Sequence, residues 1–177
     1  IAAGVKPDRL VNGAQEGAAG GLFSIAVALN DATSADIAIL YLRLAVYLQP
    51  DFDLAKIVLA DRFETLKKYD DAIAVYRSIA DSSPYAPASA VQIAIDEGRL
   101  DQNDRALATL EKLTREHPND VAAWTSLGDA YRTSKKDQQA IDAYTRAIAL
   151  SQPPDKNDWQ LYFARAVSEE NLKQIPA

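Results

Sequence analysis

Cysteine and methionine are both absent from this 177-residue chain, and histidine occurs once, at His117. Without cysteine there are no disulfides, zinc–thiolate centres or thiol nucleophiles, although the absence does not choose between the cytoplasm and an exported location. A single histidine among scattered carboxylates has no metal-ligand spacing. In REHPND it falls in a turn that ends a helix, where a dipole contact or plain exposure is its expected role. No G-x-S-x-G elbow surrounds any serine, so catalytic residues, cofactor sites and metal sites are all expected to be absent and the chain is read as no enzyme. Long apolar runs are missing too: the best, IAILYLRLAVYL at 37–48, is broken by Arg43 and falls short of the roughly 18 residues a membrane span needs. The chain opens on Ile1 and shows no signal-peptide pattern, which reads as an excised or processed piece.

Basic residues are also in short supply. The formal charge is −6, and residues 51–120 carry 14 acids against 9 bases. A protein that displaces counterions from nucleic-acid phosphates needs a basic patch, and this balance argues against one. Glycine is scarce except in VNGAQEGAAGGLF, residues 11–23, which holds four of the seven glycines. That stretch lacks the Gly-Lys-Ser/Thr ending of a phosphate loop, and no strand pattern precedes it.

What the chain does have is a period. Pro50, Pro84 and Pro118 are 34 residues apart; so are Ala38, Ala72, Ala106 and Ala140, and Ala26, Ala60, Ala94 and Gly128. Leu42, Tyr76, Leu110 and Tyr144 form a further column, as do Ile25, Leu59, Ile93 and Leu127. A fixed 34-residue period with apolar residues at i, i+3, i+4 and i+7 in each half predicts two antiparallel helices per unit. The small residues belong where helices cross, because alanine or glycine permits a short interaxial distance. Gly98 is expected to mark the break between the two helices of its unit, and proline to stop the second. Asp36, Asp70, Asp104 and Asp137 are expected in or beside the first turn of the second helix, accepting from free N–H groups and favouring the dipole. Gly20 and Gly21 fall in the opening turn of the first unit, where they are expected to let another segment, residues 1–10, approach closely.

Residues 121–154 resemble the tetratricopeptide repeat, through Trp124, Leu127, Gly128, Tyr131, Ala140, Tyr144 and Ala147, with the proline one place late at Pro153. Three units precede it in register, which divides the chain into a lead-in at 1–18, units at 19–52, 53–86, 87–120 and 121–154, and a loop with the first helix of a truncated fifth unit at 155–177. In the earlier units Leu22, Lys56 and Ala90 stand where Trp124 does, Lys56 being the oddest. The strict 34-residue period and the acidity oppose the 35-residue RNA-reading relative of this repeat.

The resemblance implies an all-α, right-handed superhelical solenoid of antiparallel helix pairs that binds a protein or peptide in its concave groove, without nucleic acid and without a membrane span. The family's inward positions correspond here to Phe23, Val27 and Asn30; Ile57, Asp61 and Glu64; Val91, Ile95 and Arg99; and Thr125, Asp129 and Arg132. Either these form an apolar floor with charged walls, or the apolar ones are core and the charges solvated. A carboxylate-clamping groove needs Lys and Asn where Phe23 and Val27 stand. Two other uses stay open: a regulatory or substrate-docking region of a larger enzyme, and self-association through exposed solenoid ends.

Overall fold

The computed structural model describes residues 13–29, 34–151 and 158–174. Among these the elements are helices only: α1 (Ala14–Ala28), α2 (Ala35–Leu48), α3 (Asp53–Thr65), α4 (Tyr69–Tyr76), α5 (Ala86–Arg99), α6 (Asn103–Glu116), α7 (Val121–Thr133), α8 (Asp137–Leu150) and α9 (Trp159–Gln174). Helices α1, α3, α5 and α7 each pack on the even helix that follows, and the pairs stack through α2 on α3, α4 on α5 and α6 on α7, with α9 packed on α8. This is an all-helical solenoid.

The small-residue columns lie at the crossings. Ala26, Ala60, Ala38, Ala72 and Ala140 are fully buried. At Gly128 a β-carbon would sit 2.5 Å from the ring of Tyr144, so the fully buried phenol of α8 occupies the space that alanine fills in earlier units. Larger side chains fill three cores. Leu42, Leu59, Phe63 and Tyr76 centre the first; Leu107, Leu110, Leu113 and Leu127 the second; Tyr144, Ile148 and Leu161 the third.

The turns inside the units carry the period in the backbone itself. Lys67, Asp101 and Lys135, 34 residues apart, have φ of 56, 59 and 57°. Each donates its N–H three residues back, and the next residue donates five back, as Lys68 does to the Phe63 carbonyl at 2.8 Å. This pair of bonds is the Schellman cap, whose left-handed position favours glycine. The break in the third unit is therefore made at Asp101. Gly98, expected there from sequence, lies within α5.

Three other expectations are corrected. The acids Asp36, Asp70, Asp104 and Asp137 do lie in first turns, but no side-chain cap bond forms at α2, α4, α6 or α8. The N-cap positions are Ser34, Lys68, Gln102 and Lys136, so the acids stand one or two residues inside the helix, where they act on the dipole but do not cap it. Of α1 to α8 only α7 has a side-chain cap, Asp120 accepting from the Ala123 N–H at 3.1 Å. Pro50 and Pro118 follow the ends of α2 and α6 by two residues, but α4 ends at Tyr76, well ahead of Pro84. Finally, α1 begins at Ala14, so Gly17, Gly20 and Gly21 are helix interior, and beyond the adjoining turns of α1 itself no described atom lies within 4 Å of a β-carbon at Gly20 or Gly21. Residues 1–10, the segment expected over them, are outside the described part of the chain.

Candidate partner-binding groove

Helices α5 and α7, the first of their pairs, pack directly on each other, with α6 behind them. Between the three lies a cavity of about 400 Å³ lined by Ala94, Ile95, Gly98 and Arg99 of α5, Asn103, Ala106 and Leu110 of α6, and Ser126, Asp129, Ala130 and Thr133 of α7. The floor is alanine, isoleucine and leucine; the rim is Arg99 on one side and Asp129 on the other. Gly98 and the alanines make the recess, since larger side chains would close it.

Both rim charges are held by internal bonds. Arg99 donates to Glu64 at 2.9 Å and to Asp96 at 2.8 Å, and its guanidinium lies 5.2 Å from the centre of the Tyr69 ring. Glu64 also accepts from the Tyr76 hydroxyl at 2.8 Å. Burial, joined by the Glu64 bond, raises the Tyr76 phenol above its ordinary range. On the other side Asp129 accepts from the Tyr144 hydroxyl at 2.7 Å and from Arg132 at 3.4 Å. Such bonds fix rotamers before any ligand arrives, which lowers the ordering cost of binding.

Asp96 stands out in this network. It is fully buried, and its Oδ2 has no hydrogen-bond partner. Burial and the nearby Glu64 charge push its carboxyl up to about 6, against the pull of Arg99. The neighbouring Glu97, also buried, accepts from Arg77 at 2.8 Å and from Thr109 at 3.0 Å. Glu97 thus ties α5 to the end of α4 and to α6, while Arg99, held by Asp96, ties it to Glu64 of α3.

The residues expected to line a groove separate into groups. Ile95, Arg99 and Asp129 converge on the cavity. Thr125 and Asp129 line a second one of about 390 Å³ beside Tyr144 and α9. Arg132 backs Asp129 through its bonds to it and to Tyr144, and Glu64 backs Arg99. Val91 is core: 7% exposed, it is sealed in the second cluster because α7 packs on α5 at its level. Phe23 and Ile57 are half-buried against the first core, Phe23 with its ring 5.0 Å from Phe52. Val27 and Asp61 are exposed away from both cavities, and Asn30 lies outside the described residues.

Asn103, Ala106 and Leu110 of the lining belong to a second helix and so lie outside the family's inward positions, which are on first helices; the alanine column at Ala106, which marks a thin place in the wall, is their one signal in the sequence. Among the described residues no three metal-ligating side chains gather, and no helix is long and apolar enough to cross a membrane.

Several solved structures share this architecture. MamA (residues 41 to the end) from Desulfovibrio magneticus RS-1 superposes with a TM-score of 0.65 at 18% identity, covering 93% of this chain and 94% of that one. The first tetratricopeptide domain of Spaghetti (RPAP3), bound to the HSP90 peptide SRMEEVD, gives 0.59 at 20% identity over 69% of this chain and 94% of that one. YrrB, described as having an unusual peptide-binding site, gives 0.62 at 13% identity over 86% and 76%. No curated protein matches the sequence. The sequence model of the tetratricopeptide repeat matches residues 24–87 and 91–158, and with most of its length so matched the chain belongs to the tetratricopeptide repeat family.

Proposed function

We propose that the cavity between α5 and α7 binds a peptide segment of a partner protein, and that the chain serves as an interaction scaffold through it. The carrying observation is the apolar floor of Ile95, Ala106 and Leu110 set between two charges already fixed by internal bonds. About 400 Å³ accommodates one large or two small apolar side chains of an extended or helical peptide. Arg99 is shared by two carboxylates, and no lysine lines the cavity, so the ligand is an apolar anchor with weakly charged flanks and not an acidic chain terminus. Peptides in the Spaghetti (RPAP3) structure and the peptide-binding site of YrrB support this use of the fold.

Selection of peptides from a random 12-residue display library tests the reading. Selected peptides are expected to lose at least about tenfold in affinity against Ile95→Asn, measured by fluorescence anisotropy, with helicity unchanged. Equal affinity for the variant would overturn the proposal.

A further inference from the structure

The α5–α7 cavity has two charged sides, and they are not balanced alike. On the α7 side Asp129 pairs with Arg132 at 3.4 Å, and the Tyr144 hydroxyl that also bonds Asp129 brings no charge. On the other side one guanidinium serves two carboxylates. Arg99 bonds Glu64 of α3 at 2.9 Å and Asp96 of its own helix at 2.8 Å, so with both acids ionised the trio carries one net negative charge. The groups that α4 brings to it are neutral: the ring of Tyr69 beside Arg99, and the Tyr76 hydroxyl donated to Glu64. Helix α6 presents only the neutral Asn103 to the cavity, and α7 the Asp129 already paired. Asp61 of α3, whose charge is felt at Tyr76, adds to the same sign.

The two acids of the trio differ in reach. Glu64 is partly open to solvent, with one oxygen accepting from Tyr76 and the other from Arg99. Asp96 is 0% exposed, and its second oxygen accepts nothing. A ligand in the cavity therefore never touches Asp96, which acts on it only through its charge. At the effective dielectric of a protein surface, one charge about 10 Å from another changes affinity roughly tenfold.

We propose that Glu64 and Asp96, only half neutralised by Arg99, set the specificity of this cavity: the bound segment carries a lysine or arginine beside its apolar anchor, directed towards α3. The inference rests on the reading of the cavity as a peptide site, and it narrows weakly charged flanks to one basic flank. Asp96 also makes the preference depend on pH. Burial and the Glu64 charge raise its carboxyl to about 6, so as pH falls below that value the trio becomes neutral and a basic flank gains nothing from it. A bound cation in turn favours ionised Asp96. Affinity for basic-flanked peptides thus rises with pH through 6, and affinity for uncharged ones does not.

Parallel selections from a 12-residue display library at pH 7.5 and pH 5.5, followed by fluorescence anisotropy, test this. Peptides containing histidine are set aside, and His117, the chain's one histidine, borders a different cavity. The pH 7.5 peptides are expected to hold Lys or Arg within about three residues of the anchor and to lose about tenfold in affinity at pH 5.5. Asp96→Asn should weaken them by a similar factor at pH 7.5 and leave a flat pH profile. The same substitution removes a buried charge and stabilises the fold at that pH, so the loss of binding and the gain of stability run in opposite directions. Replacing the peptide's basic residue by alanine should likewise flatten the profile. Peptides that depend on Ile95 but lack a basic flank, or bind equally at both pH values, or are indifferent to Asp96→Asn, would overturn this inference and leave the peptide-binding reading standing. Peptides indifferent to Ile95→Asn would remove both.

Discussion

The junction of α4 with α5 and the junction of α6 with α7 are equivalent places in one repeat, yet they are built differently. At α6–α7 the contact is apolar, with Leu110, Leu113, Trp124 and Leu127 in one cluster and polar bonds only at its edge, such as Tyr131 to Glu111 at 2.8 Å. At α4–α5 the two cores are separate, with Ile93 reaching across, and the rest is charge: Arg77, just past α4, pairs with Glu97, and Arg99 lies over the ring of Tyr69. A second difference lies within the pairs: α3 carries Lys56 at the position where α7 carries Trp124. Trp124 fills its site with a ring and donates to the Pro118 carbonyl at 3.0 Å. Lys56, its counterpart and only 5% exposed, pairs with Asp53 at 3.2 Å and donates to the Ser78 carbonyl at 3.0 Å. Ser78 lies just past the early end of α4, and an ammonium suits a carbonyl left free at a helix C-terminus. Where the fourth unit holds an aromatic ring, the second holds a buried ammonium bonded just beyond the end of its short second helix.

The comparison can be broken from either side. The largest effect is expected in the apolar half: Leu110→Ala empties a site 1% exposed and should cost about 3 kcal/mol in urea denaturation. Lys56→Met should cost less, about 2 kcal/mol, because Asp53 retains its hydrogen bond from Ser83, the chief cause of its lowered pKa. Hydrogen exchange should quicken across residues 77–85 and remain unchanged in α8; uniform quickening would refute a local role for Lys56.

Asp96 gives the polar junction a pH signature. Its carboxyl, raised by burial to about 6 from an ordinary 3.8, binds its proton more tightly in the folded chain than in the unfolded one. Stability is therefore lost as pH rises through 6 and regained as it falls toward 4. Asp96→Asn should stabilise the chain by about 1–2 kcal/mol at pH 7.5 and by nothing near pH 4. Thermal melts of both proteins at the two pH values decide this, and a constant difference would count against it. The smallest effect belongs to the turns: Lys67→Gly, Asp101→Gly or Lys135→Gly should each stabilise by about 0.5–1 kcal/mol, since glycine adopts φ near 57° without strain. A loss of stability at all three would contradict the cap assignment.

Much of the fold was legible because a repeat states its packing several times over. The alanine columns and Gly128 identify the crossings, and their burial follows from helix geometry alone. The candidate site was legible in part: of the inward positions Ile95, Arg99 and Asp129 border the cavity, whereas Val91 occupies the same kind of position and is core, because whether an inward residue stays open depends on how closely the next first helix approaches. The short α4 was not legible at all: its alanine and tyrosine columns are intact, and the side chains that meet the chain just past its end, Lys56 and Glu97, lie 20 or more residues away in sequence.

The sequence by itself determined the period, the all-helical pairing and the identity of the crossing residues, since these depend on side-chain size at fixed spacing within about one turn. Tertiary structure decided which charges are buried, where α4 stops, and which inward residues border a cavity. Those outcomes depend on contacts between units, whose distances no local pattern encodes.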